Sequence, residues 1–273
     1  GPMGLALRTF LRHRAYAMIE TVGALMGYGH FELRDFKRGE YIKVYGENIY
    51  CDVLLGADLV AVFNYLEGLP ADIRIEDEGE GKLFTVSHGR MFGNEPVSHF
   101  EYRKIPRKPG NVNVQRCPEC ELPIDFKKFV WSLDRGVITD RESGRDMVMM
   151  GPNEIDTIFM GLEAELDPEI NRAAVEGQCR YVLEELSRRE TSRGGDYLAQ
   201  QLALRGMGNL VGFELRKGGL KVKVENAGPY LMVAGLIKGI YETLTGGISY
   251  CDYQLAGDGI LFIEVSEERP AYV

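Results

Sequence analysis

The chain repeats itself, and no other feature constrains its fold as much. Adding 178 to the residue number carries Ile42-Lys43-Val44-Tyr45-Gly46-Glu47-Asn48 onto Leu220-Lys221-Val222-Lys223-Val224-Glu225-Asn226. The same shift, without a gap, carries Leu66 and Gly68 onto Leu244 and Gly246, and residues 79–84 onto residues 257–262. Upstream, Phe31-Glu32-Leu33-Arg34 recurs as Phe213-Glu214-Leu215-Arg216, four residues out of step, which implies a longer connection through residues 35–41 in the first copy. Similarity at a fixed offset marks a module used twice, and paired modules are expected to be related by an approximate two-fold axis.

Each copy reads as helix, strand, strand, helix, strand, strand. In the first, Leu7, Phe10, Leu11, Ala15, Met18, Ile19, Val22 and Leu25 recur at helical intervals over residues 5–25. Strands follow at 31–34 and 41–45, a helix at 52–66, and strands at 73–76 and 82–87, the last two joined by the Gly79-Glu80-Gly81 turn. The second copy gives a helix at 196–206, strands at 213–215 and 220–224, a helix at 230–244 and strands at 249–255 and 260–265. The fold class is therefore α+β with antiparallel sheets. The repeated helix is apolar on nearly all sides and reads as buried. Its small residues also coincide, Ala57 and Ala61 falling on Gly235 and Gly239. On such a stripe either another backbone packs closely or a flat ligand lies.

The copies bracket a different middle. We divide the chain into a first module (1–95), a linker (96–116), a central segment (117–190) and a second module (191–273). The linker holds three prolines between Pro96 and Gly110 and a basic cluster at Arg103, Lys104, Arg107 and Lys108. The central segment opens on Cys117-Pro118-Glu119-Cys120 and continues as a small meander over residues 129–150, with turns at 134–136 and 142–144. Helices are expected at 152–166, with Pro152 in its first turn, and at 168–189, before a loop at 187–195.

Composition excludes some classes. A formal charge of -9 over 273 residues argues against a nucleic-acid footprint, which needs clustered Lys and Arg. The longest apolar run, 228–237, is about half of the 20 or so residues a membrane helix needs. Gly1-Pro2 before Met3 has the form of a scar from a cleaved tag, and no secretory signal follows it. An odd number of cysteines, five, with one Cys-x-x-Cys pair, points to a reducing, cytoplasmic compartment rather than a disulfide scaffold.

Cys117 and Cys120 have the spacing of half a zinc knuckle. A full ribbon places a second pair about 15 to 20 residues on, and that interval holds no cysteine or histidine. The alternatives are a zinc site completed by Cys179, by His99 or by the other subunit of a homodimer, a redox dithiol, or a metal-free relic. The sequence lacks a strand–helix Gly-x-Gly-x-x-Gly, a phosphate loop and a Gly-x-Ser-x-Gly elbow.

Ala234-Gly235-x-x-x-Gly239, then Gly246, then Gly257-Asp258-x-x-x-Phe262 leading into Val265 resembles the 4-vinyl reductase domain family of small-molecule-binding modules. Members end in a helix with this small-residue motif and a hairpin with Gly-Asp at its turn. Many carry cysteines in both hairpin strands, where this chain has Tyr253 and Ile260, with Cys251 out of register. The resemblance implies a hydrophobic pocket between the buried helix and the sheet, receiving aromatic, hydrocarbon-like or tetrapyrrole ligands. Tyr230, Gly235, Ile237, Gly239, Tyr241, Tyr253 and Phe262 are the residues here that would line it, with few polar groups among them. The leading expectation is a binding protein for a hydrophobic small molecule. An enzyme or accessory factor of cofactor or tetrapyrrole metabolism using the cysteine pair stands as the alternative, and a protein-interaction scaffold as the third.

Overall fold

Ile42, Val44 and Gly46 alternate with Tyr41, Lys43 and Glu47, the period of a strand with one buried face. In a computed structural model of the chain, which describes residues 12–89, 107–165, 169–186 and 192–267, that strand is the second of a four-stranded sheet. Helix α1 (Arg12–Met26) leads into β1 (His30–Lys37) and β2 (Tyr41–Glu47), α2 (Asp52–Glu67) follows, and β3 (Ala71–Glu78) and β4 (Gly81–His88) close the sheet in the order β1-β2-β4-β3. All its pairings are antiparallel. Both helices lie on one face: Tyr16 of α1 and Leu55, Leu59 and Phe63 of α2 share a core with Phe31, Ile42, Val44, Phe84 and Val86.

The meander is β5 (Phe129–Ser132), β6 (Val137–Asp140) and β7 (Asp146–Met147), antiparallel throughout. Helices α3 (Pro152–Glu165), α4 (Glu169–Glu185) and α5 (Gly194–Leu204) come next. Then β8 (Asn209–Arg216), β9 (Gly219–Glu225), α6 (Tyr230–Thr245), β10 (Tyr250–Leu255) and β11 (Leu261–Ser266) build a second sheet in the order β10-β11-β9-β8. Element order and sheet order thus agree between residues 30–88 and 209–266. The agreement extends to backbone detail. Helices α2 and α6 each have 16 residues and end on left-handed Gly68 and Gly246, whose N–H groups return to Asn64 O and Glu242 O. Asn48 and Asn226, one shift apart, both sit at φ 53°.

One expected correspondence fails. Phe31 lies opposite Gly46, whereas Phe213 lies opposite Val222, which the shift matches to Val44. The counterpart of Phe31 in register is Leu210, opposite Val224. The recurring Phe-Glu-Leu-Arg is a coincidence of four letters, because residues 35–37 continue β1 rather than forming a long connection. Strand register is set by which residues face the core, and a short tetrapeptide match does not fix it.

By contacts the chain divides into two compact units, Gly1–Pro96 with Phe126–Met150, and Val97–Asp125 with Gly151–Val273. The central segment expected as one piece is therefore shared out. The meander belongs to the first unit because its backbone and one side chain are tied there: Gly29 N donates to Gly136 O at 3.1 Å, Met149 N to Met26 O at 2.8 Å, and the Trp131 side chain, through Nε1, to Leu25 O at 3.0 Å. A Cβ at Gly136 would overlap the Gly29 carbonyl, so glycine is required there for the approach. Helix α4 belongs to the second unit, packed along α6 with Val175 and Val182 in its core. The end of the expected linker is also held: Lys108 N donates to Asn226 Oδ1 (2.7 Å), Asn226 Nδ2 donates back to Lys108 O (2.8 Å), and Lys108 Nζ meets Asp258 at 3.0 Å. The expected helical turns at 5–11, the linker from 96 to 106 with Arg103 and Lys104, the helix boundary at 166–168 and the loop at 187–191 lie outside the described residues.

The two helices that the shift matches differ in burial. Helix α6 is buried along most of its length, as its composition predicts, but α2 leaves Val53 69% and Tyr65 57% exposed, with Ala57 and Ala61 also at the surface. An all-apolar helix is buried only where something covers both its faces. Among the described residues, α6 has a sheet on one side and α4 on the other, whereas α2 has its sheet and, at its C-terminal end, α1, whose Tyr16 hydroxyl donates to Glu67 Oε1 at 3.2 Å.

Candidate functional site

Helix α6 organises the second unit. The stripe at Gly235 and Gly239 is filled by α4: a Cβ on Gly235 would lie 2.5 Å from Val175 O, and one on Gly239 would lie 2.6 Å from Val182 Cβ and 3.0 Å from Cys179 O. Of the two occupants the sequence left open for this stripe, the structure places a helix backbone there. Ile237 and Tyr241 are wholly buried. The Tyr241 hydroxyl donates to Glu267 Oε1 at 3.2 Å, and burial together with that carboxylate pushes its pKa up.

Tyr230 and Tyr253 meet at the start of α6. Their ring centroids are 6.2 Å apart at 51°, an aromatic corner between the helix and the edge strand β10. Both rings are half-buried, and Phe159 of α3 packs against the same core. The Asp156 carboxylate of α3 accepts from Tyr230 N at 3.1 Å, placing negative charge at the positive end of a helix that has no acidic residue in its first turn. Burial pushes the Tyr253 hydroxyl up, and Cys251 adds to it. Phe262 does not join this corner. In β11, Leu261, Ile263 and Val265 face the core, while Phe262 stands on the opposite face, 45% exposed, with Lys223 Nζ 5.6 Å from its ring centre. Strand alternation forces that outcome.

Further along α6 lies a polar cluster that the sequence reading missed. Lys238, 4% exposed, donates to Glu242 Oε1 (2.8 Å), to Glu176 Oε2 (3.0 Å) and, more weakly, to Cys179 Sγ (3.7 Å). Glu242 Oε1 also accepts from Ser249 N (2.7 Å) and Ser249 Oγ (3.0 Å), and its Oε2 from the Cys179 thiol (3.4 Å). Burial is the largest single influence on both groups and alone would neutralise Lys238 and Glu242; their mutual hydrogen bond together with those to Glu176 and from Ser249 outweighs it, so Lys238 is held above and Glu242 below their ordinary values. The signal was present: Lys238 and Glu242 stand four residues apart in an otherwise apolar helix, where the shift of 178 matches them to Val60 and Asn64.

The thiols beside this cluster are inert. Burial pushes Cys179 up to about 11 and Cys251 up to about 12, and Cys251 donates to the Ala234 carbonyl at 3.8 Å. A thiolate is the nucleophile and the metal ligand, so neither cysteine performs either role at neutral pH. Iodoacetamide at mildly alkaline pH is therefore expected to alkylate exposed Cys120 long before Cys179 or Cys251, as peptide mass spectrometry of timed samples would show. Equal rates at the three positions would contradict the burial described.

The Cys-x-x-Cys turn itself is formed. Cys117 N donates to Leu122 O (2.8 Å), Glu121 N to Cys117 O (2.9 Å), and Arg116 bridges to Pro123. Zinc, however, gains no support: among the described residues no three His, Cys, Asp or Glu side chains come together in a way that could hold a metal ion. Cys179, one proposed completing ligand, is engaged with Glu242 in the core of the second unit. His99, the other, lies outside the described residues. Among the described residues, no helix is long and apolar enough to cross a membrane.

No protein-family model matches the chain, and no curated protein matches it. Similar solved structures include the phenol-responsive sensory domain of the transcription activator PoxR with phenol, at 12% identity and a TM-score of 0.39, over 51% of this chain and 85% of that one. A vinyl-4-reductase family protein from Methanocaldococcus jannaschii is 16% identical at a TM-score of 0.29, over 41% of this chain and 75% of that chain. A protein of the H-NOX family, studied for heme distortion, is 16% identical at a TM-score of 0.30, over 55% and 85% of the two chains.

Proposed function

We propose that the second unit binds an apolar or aromatic small molecule at the corner made by Tyr230 and Tyr253, without catalysing a reaction on it. The observation that carries this reading is the half-buried tyrosine pair itself: two aromatic rings meet where α6 adjoins an edge strand, beside an apolar core. The chemistry around it favours binding over catalysis, since the neighbouring thiols are neutral and Lys238 is fully engaged with carboxylates. Because α4 occupies the glycine stripe on which a flat tetrapyrrole would lie, a ligand of one or two rings suits the corner better. We further propose that the two strand–strand–helix–strand–strand units are copies of one duplicated module, a reading supported by the gapless shift and the matching helix caps, and that binding specialised in the second, since the shift matches Tyr230 and Tyr253 to Asp52 and Ile75.

Calorimetric titration of the purified protein with p-cresol and with naphthalene tests the site. A saturable signal with a negative heat-capacity change is expected. Tyr253→Ala should weaken it by about tenfold or more, roughly 1.4 kcal/mol, while Tyr65→Ala, on the exposed face of α2, should leave it unchanged. Absence of saturable binding for both compounds, or equal weakening by the two variants, would sink the reading. A Soret band in the untreated protein would instead favour a tetrapyrrole.

A further inference from the structure

One side of helix α3 meets the tyrosine corner. Asp156, Phe159 and Glu163 stand three and four residues apart, so they share a helix face. Asp156 accepts from Tyr230 N at 3.1 Å, and Phe159 packs against the core of the second unit. Glu163, one turn further on, acts on the other ring: after burial and the neighbouring Cys251, its carboxylate raises the Tyr253 hydroxyl.

The two carboxylates of this face are not equivalent. That of Asp156 is committed to the backbone at the start of α6. Glu163 is half-buried, yet among the described residues it has no hydrogen bond and no ion pair. Other half-buried or buried carboxylates of the same unit do have a cation: Glu176 and Glu242 hold Lys238 at 3.0 and 2.8 Å, and Glu225 meets Lys108 at 3.6 Å. A carboxylate drawn part-way out of water loses hydration that only a cation or a hydrogen-bond donor replaces. The ring near Glu163 is that of Tyr253, paired with Tyr230, and aromatic rings attract a cation rather than repel it. An unpaired carboxylate beside an aromatic pair is therefore suited to a ligand that is itself aromatic and positively charged.

We propose that the ligand of this corner is an aromatic amine, its ring lying with Tyr230 and Tyr253 and its ammonium group at the Glu163 carboxylate, which makes Glu163 the residue that determines specificity. The inference rests on the binding site proposed above and narrows what it takes. A neutral ring satisfies the aromatic pair alone, whereas a ring with an alkylammonium arm also supplies the cation that Glu163 lacks. Sites of this kind draw affinity from apolar contact and selectivity from one or two placed polar groups.

Calorimetric titration of the full chain at neutral pH with tyramine and with 4-ethylphenol, which differ only in the ammonium group, tests it. Tyramine is expected to bind the wild type about tenfold or more tighter than 4-ethylphenol. Glu163→Gln, close to isosteric, should bring tyramine down to the affinity of 4-ethylphenol and leave that of 4-ethylphenol unchanged, which also reports that the corner is intact in the variant. Asp252→Asn makes the same change of charge on an exposed residue of β10 and should leave the preference for tyramine in place. Equal binding of the two compounds by the wild type would overturn the amine while leaving the aromatic site standing. A preference lost to the same extent in Asp252→Asn, or retained in Glu163→Gln, would overturn the role of Glu163. Absence of saturable binding by both compounds would remove the site, and this inference with it.

Discussion

Replacing Gly239 with Leu is expected to lower the stability of the second unit by roughly 1 to 3 kcal/mol or more, through overpacking of a close helix pair. The added Cβ alone would stand 2.6 Å from Val182 Cβ and 3.0 Å from the Cys179 carbonyl, and one of these contacts is backbone, which cannot rotate away. Relief requires α4 to move off α6 by more than a methyl radius, and that movement opens the core containing Val175, Val182, Leu231 and Ile237. It also separates Cys179 and Glu176 from Lys238, whose hydrogen bonds depend on the same approach. Ala61→Leu, one shift away on the open face of α2, is the control: it should leave thermal stability nearly unchanged. Thermal melts of the two variants decide the matter. A Gly239→Leu protein melting like the wild type would mean that α4 is not seated as described.

Much of this architecture was legible because two stretches of the sequence match at one fixed offset. The gapless shift placed α2, α6 and the strands that follow, and the observed bounds of the two helices are one shift apart; that Gly68 and Gly246 are left-handed caps emerged only from the structure. Turn chemistry placed the meander, whose Gly136 and Gly144 both take positive φ. Ownership of the meander was not legible, since it rests on hydrogen bonds to the backbone of Leu25, Met26 and Gly29, and neither Trp131 nor Gly136 names its partner from sequence. The exposure of α2 was not legible either, because composition records how apolar a helix is and not whether a further layer covers it. At the candidate site, a residue list drawn from apolar character gathered Phe262 with Tyr253, although strand alternation puts them on opposite faces: Tyr253 pairs with Ile263, so its side chain lies with the core-facing residues, and Phe262 lies one position out of phase. The buried Lys238 and Glu242 were the reverse case. Two charges inside an apolar helix are costly unless paired, and that cost was itself the sign of a built cluster.

That cluster should respond sharply to removal of one partner. Lys238→Met is expected to destabilise the protein by about 3 to 5 kcal/mol, because it leaves the Glu242 carboxylate buried with hydrogen-bond donors but without its cation. Lys238→Met combined with Glu242→Leu should recover most of that loss, since an apolar pair of similar volume removes both desolvation penalties. The pH dependence gives an independent reading. In the wild type, Glu242 is held below its ordinary value even though burial opposes this, because Lys238 and Ser249 donate to its ionised form. A depressed carboxylate stabilises the fold above the unfolded pKa, about 4.3 for glutamate, and that contribution is lost as pH falls through the still lower folded value. With Lys238 gone, burial dominates and raises the folded value of Glu242 above the unfolded one. The folded state then binds the extra proton, so acidification through that raised value should restore stability relative to neutral pH. Urea unfolding across the acid range, with each variant compared against the wild type, would show this inversion as a difference in slope of opposite sign. Parallel slopes for Lys238→Met and the wild type would mean that Glu242 is not the buried anion this geometry makes it, and the cluster would then owe its stability to packing rather than to charge.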